Sequence, residues 1–200
     1  MEKTEASDAR YGCYLTFSKN RDEAINKAMM IDKIIKTKAL NSEFQIRLMN
    51  EMDKVNICKW EYTGEYKIYN LPKYEQMKNE KIGFANPNRI GDYYVVEHDM
   101  HGVVAFFGLI DEKEEVFIGI GVHPNYCSCG IGAWTLNEAI KIKNRRYGKK
   151  QLYLEVRTWN KRAINCYKKV GFKIVKDSIE QQTYAGQGTF CRMNYIGFNA

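Results

Sequence analysis

An α+β layer fold follows from three features of this 200-residue chain. Apolar runs at residues 93–97, 103–109 and 116–122 are separated by turn-forming clusters, as successive antiparallel strands require. Helical spacing takes over at residues 130–146 and 161–170, with an alternating run at 151–157 between them. Residues 172–175 and 190–196 read as a closing pair of strands. Hairpins with interposed helices define a mixed sheet covered by helices.

The chain divides into an N-terminal extension, 1–42, and a domain, 43–200. The extension reads as helical over residues 21–36, where Ala24, Ile25, Ala28, Met29, Ile31 and Ile35 fall near helical spacing. In the domain, Phe44, Ile46 and Leu48 alternate with polar residues, as in a half-buried strand. Asn50 is placed to cap a helix carrying Met52, Val55, Ile57 and Trp60. Residues 61–90 are irregular and rich in tyrosine. The cluster His98-Asp99-Met100-His101-Gly102 reads as an exposed turn, not a metal site. Residues 111–115 make the next turn. On the helix 130–146, Ala133, Leu136 and Ile140 are expected to face the sheet, and Lys141, Lys143 and Arg145 to face water. The stretch 177–189 reads as a loop.

Bulk properties narrow the function. Hydrophobic residues make up 44% of the chain, a globular composition. No run approaches the roughly 18 apolar residues of a membrane span, and the N-terminus lacks an apolar signal core, so a cytoplasmic location is expected. The net charge of +7 and pI near 9.0 favour anionic partners. The basic residues are dispersed, which argues against nucleic acid and for a phosphate-bearing ligand. None of the six cysteines forms a Cys-x-x-Cys pair, and no metal is expected.

The run 116–122 leads into His123-Pro124-Asn125-Tyr126-Cys127-Ser128-Cys129-Gly130-Ile131-Gly132-Ala133. Glycines at a strand-to-helix junction allow close backbone approach, and helix N-termini present free N–H groups, so a diphosphate is a natural guest. A tight turn without ligand is the plain alternative. Further on, Leu152, Leu154 and Val156 alternate with Tyr153, Glu155 and Arg157. Asn160 is an N-cap, Ala163, Ile164, Tyr167 and Val170 share a stripe, and Gly171 ends the helix before Phe172.

These two blocks resemble motifs A and B of the GNAT (general-control-related N-acetyltransferase) superfamily. Val122, Pro124, Gly130 and Gly132 match the first, usually Val-x-Pro-x-x-Arg/Gln-x-x-Gly-x-Gly/Ala. Cys127 stands where the family has Arg or Gln, and Cys129 replaces a second frequent basic residue. Asn160, Ala163, Tyr167, Gly171 and Phe172 match every named position of the second motif. The run Leu154-Glu155-Val156-Arg157 looks like the ribosomal-protein N-terminal acetyltransferases of this superfamily.

The resemblance implies a mostly antiparallel central sheet with helices on both faces, and transfer of acetyl from acetyl-CoA to a primary amine in a ternary complex. It implies Tyr167 as general acid and Glu155 as general base. It implies cofactor contacts from Ile120, Val122, Cys127, Cys129, Gly130, Ile131, Gly132, Ala133 and Asn160. It also implies an acceptor wall from Tyr62, Tyr66 and Tyr69, with residues 177–189 opposite. The residues themselves leave alternatives open. Glu155 reads equally as a solvated strand residue paired with Arg157, Tyr167 as a core tyrosine, and the three tyrosines as packing beneath their loop. Expected partners are acetyl-CoA and an amine, without membrane or nucleic acid and with a homodimer left open. The alternative function is a CoA-binding or catalytically degenerate regulatory module.

Overall fold

A computed structural model describes residues 44–197. The extension, its helix at 21–36 and Cys13 lie outside these residues. The first half of the domain comprises β1 (Phe44–Leu48), α1 (Glu51–Ile57), a 3₁₀ helix (Gly64–Tyr69) and α2 (Tyr74–Asn79). Three strands follow: β2 (Tyr93–His98), β3 (Gly102–Glu112) and β4 (Glu115–Val122). Then come α3 (Ile131–Tyr147), β5 (Gln151–Arg157), α4 (Lys161–Val170), β6 (Phe172–Thr183) and β7 (Gly186–Tyr195). The strands form one sheet in the order β1-β2-β3-β4-β5-β7-β6. Every neighbouring pair is antiparallel except β4–β5, which is parallel.

Strand alternation sends adjacent side chains to opposite faces, and both faces are covered. Val96 and Phe107 join α3 and α4 residues in one core, with Leu136, Ile140, Ile164 and Phe172. Their neighbours Val95 and Phe106 join a second core with Ile57, Trp60, Tyr74 and Met77. Helix α1 starts with a reciprocal cap: Asp53 N–H donates to Asn50 Oδ1 at 2.9 Å, and Asn50 N–H donates to Asp53 Oδ2 at 2.8 Å. Burial pushes the Asp53 carboxyl up, but Arg47 and the Asn50 amide outweigh it and hold it below its ordinary value.

Four expectations change. Helix α1 ends at Ile57, so Trp60 lies beyond it, packed on Phe106 with ring centroids 5.7 Å apart. Lys143 is buried instead of facing water, because it continues the core stripe of Leu136 and Ile140. Its ammonium donates to the Gly148 carbonyl at 2.9 Å, closing the helix C-terminus. Burial lowers the pKa of that ammonium. His98 is buried inside its turn. Residues 177–189 are not a loop: β6 and β7 pair as a long hairpin whose turn is Tyr184-Ala185. The hairpin escapes a periodicity reading because most β6 side chains from Lys173 onward are exposed, Ile174 and Val175 included, so no buried face imposes an alternation.

Two glycines of β4 differ in what surrounds them. A Cβ at Gly121 would stand 2.3 Å from Phe106 Cε1, because that ring lies across the glycine from the neighbouring strand. A Cβ at Gly119 would meet Phe117 at 3.5 Å, an ordinary contact. Gly121→Ala is expected to cost about 1–3 kcal/mol by overpacking. Gly119→Ala should stay within about 1 kcal/mol of the parent. Urea midpoints of the two variants, compared with the parent, check this.

Candidate active site

Strands β4 and β5 begin as a parallel pair, with Glu115 opposite Gln151, Val116 opposite Leu152 and Phe117 opposite Tyr153. The pairing stops there. Beyond it β4 stays bound to β3 as far as Val122, and β5 stays bound to β7 as far as Arg157. A wedge therefore opens between them in the middle of the sheet. The His123 N–H donates to the Val104 carbonyl of β3 at 2.9 Å. The two-residue alternation of an antiparallel ladder then turns the main-chain groups of Ile120 and Val122 into the wedge. Tyr62 hydroxyl reaches the Val122 carbonyl there at 2.8 Å.

Past the open end of β4 the chain bends back through two left-handed residues, Ser128 (φ 65°) and Gly130 (φ 86°). Gly130 caps α3 without a side chain; its carbonyl accepts the Trp134 N–H at 3.1 Å. The N–H groups of Ile131, Gly132 and Ala133 precede the first intrahelical bond and are free to bind an anion. A Cβ on Gly130 would meet nothing within 4 Å, so open space lies before this turn. A Cβ on Gly132 would meet Cys166 Sγ at 3.4 Å and Val122 Cγ2 at 3.7 Å, which places the turn against both α4 and β4. A diphosphate fits this cradle through its backbone. The side chains of Ile131 and Cys129 are buried in the core, and Ala133 packs against it. Cys127 Sγ lies 3.6 Å from the Val122 carbonyl, and burial raises its pKa, so it remains a thiol.

Tyr167 stands on α4 with its ring 6.2 Å from that of Phe172. Burial drives its phenol well above the ordinary value. No hydrogen bond involves its hydroxyl among the described residues. It is thus a neutral, uncommitted proton donor. Glu155 lies on the opposite face of the sheet, because Leu152, Leu154 and Val156 fill the α3–α4 core. Its Oε2 accepts from Gln181 Nε2 at 2.6 Å. Glu155 is not paired with Arg157. That guanidinium is buried and donates to the Gln187 and Gly186 carbonyls at 3.3 and 3.4 Å, holding the β6–β7 turn.

The tyrosine segment ties the two lips of the wedge together. Tyr62 holds the end of β4, as above. Asn160 Nδ2, just past β5, donates to Tyr69 hydroxyl at 2.9 Å, while Asn160 Oδ1 caps α4 through the Ala163 N–H at 3.1 Å. Asn70 closes the segment on itself by accepting the Tyr62 N–H at 2.7 Å. Tyr66 and Tyr69 stack at 6.5 Å and both meet Trp159, at 5.6 and 5.8 Å. Tyr62, Tyr66 and Tyr69 are each half-buried. Trp159, Arg162, Gln181 and Tyr184 escaped the sequence reading. Trp159 directly precedes Asn160, and that adjacency was the one available signal. Among the described residues no group of three His, Cys, Asp or Glu could hold a metal ion.

The three histidines instead join a row of rings beside the open end of β4. His98 stacks on His101 at 4.7 Å, His101 meets Tyr126 at 5.4 Å, Tyr126 meets His123 at 5.3 Å, and His123 meets Trp60 at 5.0 Å.

A sheet split at the one parallel pair among the described residues, with a glycine turn at one lip and a phenol beside it, is an arrangement of the acetyltransferase fold. The chain belongs to the acetyltransferase (GNAT) family, whose pattern matches residues 54–172, more than half its length. Over 64 residues it is 44% identical to an N-alpha-acetyltransferase of Sulfurisphaera tokodaii. That match covers 32% of this chain and 38% of the relative, so well under two thirds of that protein is spanned. The fold is similar to that of ribosomal-protein-S18-alanine N-acetyltransferase from Escherichia coli, with TM-score 0.55 and 20% identity, over 79% of this chain and 97% of that one. It is also similar to a chimera of the Vibrio cholerae spermidine N-acetyltransferase SpeG and hSSAT, with TM-score 0.58 and 19% identity, over 77% and 95% of the two chains. No helix among the described residues is long and apolar enough to cross a membrane.

The ring row generates a pH prediction. Burial lowers the pKa of His123, and burial together with His98 lowers that of His101. The unfolded chain then binds more protons than the folded one once pH falls below the ordinary histidine value of about 6.5. Stability should be level above that value and fall as pH drops through the lower folded values. Urea unfolding of the parent and of His123→Gln between pH 5 and pH 8 checks this, with a shallower slope expected in the variant.

Proposed function

We propose that this protein transfers the acetyl group of acetyl-CoA directly to a primary amine within a ternary complex. The observation that carries this reading is the wedge between β4 and β5, flanked by the Tyr167 phenol on the helix face and Glu155 on the other. The Gly130–Gly132 turn, with the N–H groups of Ile131, Gly132 and Ala133, would hold the diphosphate. The edge of β4 at Ile120 offers a main-chain donor and acceptor to the amides of the pantetheine arm, in the manner of an added strand. Asn160 and the Tyr69 hydroxyl bonded to it border the same opening.

The bound thioester supplies an activated acetyl group. A lysine-type ammonium has a reference pKa of about 10.4 and a peptide α-ammonium one of about 8, and either must lose a proton before it can attack. Glu155 takes that proton, directly or through water. As the carbon–nitrogen bond forms and the carbon–sulfur bond breaks, Tyr167 gives its proton to the departing sulfur. The Ile120 N–H is the donor placed for the developing oxyanion. The acceptor enters from the face of Glu155, between the tyrosine strap and the β6–β7 turn. The stretch similar to an N-alpha-acetyltransferase favours the α-amine of a peptide as that acceptor. The reading places the protein in the cytoplasm.

Tyr167→Phe is expected to lower kcat roughly 100-fold or more, with acetyl-CoA affinity unchanged. Glu155→Gln should lower kcat by a similar factor. Calorimetry with acetyl-CoA and stopped-flow thiol release measure the two quantities separately. Unaltered turnover in Tyr167→Phe removes that residue from the mechanism. Against a panel of peptide N-termini and polyamines, thiol release should be fastest with peptides. Tight acetyl-CoA binding without release on any amine would favour the degenerate-module alternative.

A further inference from the structure

The cradle has a charge deficit. From His123 to Trp134 the chain contains no Lys or Arg. The two thiols of this stretch turn inward, Cys127 towards the Val122 carbonyl and Cys129 into the core. A diphosphate brings about two negative charges, and a helix N-terminus answers with roughly half a positive one. The main chain can orient such a ligand but leaves most of its charge unmatched.

A cation stands across the wedge. Arg162 lies in the first turn of α4, exposed, with its guanidinium carbon 4.0 Å from the centre of the Tyr66 ring. It makes no hydrogen bond or ion pair among the described residues, so its donors are uncommitted. One turn further along the same face is Cys166, whose sulfur marks the contact with Gly132 at the start of α3. Arg162 therefore shares the helix face that abuts the glycine turn. Burial raises the pKa of Cys127, Tyr62 and Tyr167, and the charge of Arg162 partly offsets the rise at all three. The guanidinium is thus within electrostatic reach of both the cysteine loop and the phenol.

Arg157, the arginine that ends β5, is spent on the β6–β7 turn. Cation–π attraction to the Tyr66 ring holds the Arg162 guanidinium beside the tyrosine segment, which reduces the entropy lost when it closes on an anion.

We propose that Arg162 is the side-chain anchor for the diphosphate of the acyl donor, supplying from α4 the cation that the 127–130 loop lacks. This rests on the acetyl-CoA reading above. The planar guanidinium offers two parallel donors to phosphate oxygens, a geometry an ammonium cannot reproduce.

Calorimetry with CoA on the parent, Arg162→Ala, Arg162→Lys and Lys176→Ala tests it, together with kcat/KM for acetyl-CoA and for S-acetyl-pantetheine, which has no diphosphate. Arg162→Ala should weaken CoA binding roughly 10- to 100-fold, as loss of a charge-assisted pair predicts. Its CoA affinity should also depend less on salt than the parent's. Arg162→Lys should fall between, and Lys176→Ala, a distant charge control on β6, should match the parent. The kcat/KM loss should be confined to acetyl-CoA. Parental CoA affinity in Arg162→Ala overturns the proposal while leaving the acetyltransferase reading intact. Equal losses with both thioesters overturn it too, since they would mark a disturbed α4. Failure of the parent to bind CoA at all would sink both readings.

Discussion

The parting of β4 from β5 after Phe117 and Tyr153 is the constraint on which the site depends. Inside a sheet, unpaired main-chain groups are costly unless something else meets them. Here Tyr62 hydroxyl satisfies the Val122 carbonyl, and Ile120 is left facing the gap. The gap is kept from closing at its outer end by what stands on each lip. On β4 the chain turns away at once through the 3₁₀ turn Pro124–Tyr126. On β5 the Asn160 side chain is divided between capping α4 and holding Tyr69. One short tyrosine segment therefore spans both lips, and its hydroxyls fix the width of the opening.

The wedge also explains why the proposed acid, Tyr167, and the proposed base, Glu155, come from different layers. Adjacent positions of β5 point to opposite faces, so Glu155 cannot share a face with the leucines that pack beneath α4. Tyr167, on α4, belongs to those leucines' side. A reaction centre between the strands is reachable from both faces at once. Donor and acceptor can then enter from opposite sides without competing for space, which suits direct transfer. The Glu155–Gln181 bond ties the carboxylate to β6 and limits its rotamers before any amine arrives.

The hairpin of β6 and β7 is organised by one buried guanidinium. Arg157 fills the space over Gly188, where a Cβ would lie 1.8 Å from its Nη1, and its carbon sits 4.8 Å from the Phe190 ring centre. Arg157 ends β5, so the strand at the wedge and the β6–β7 turn are mechanically one unit. Tyr184 at the turn is more than half exposed.

Local patterns were enough to read most of the architecture. Residues 151–157 and 161–170 carry a clear period because one face of each lies in the core, whereas 93–97 and 103–109 stand out as apolar runs because both their faces are covered. Asn50, Asn160 and Gly171 are legible because caps are local chemistry. The β6–β7 hairpin was not, since β6 is largely exposed and is held by backbone pairing to β7, a relation that leaves no alternation behind. Lys143 misled for the converse reason: a charge on a core stripe looks solvated until Gly148 is seen to receive it.

By itself the chain determined the family, the glycine turn, the phenol and the order of strands, because each of these is written in residues close together in sequence. Only the tertiary structure decided what each side chain does there. Tyr62 and Tyr69 became struts, Cys129 a core residue, Arg157 the holder of a turn, and Arg162 an uncommitted cation over Tyr66. The two strut contacts join residues 60 and 91 positions apart, and the Arg157 bonds join residues 29 and 30 positions apart. No local pattern encodes such distances, because they are set by how the layers close on one another.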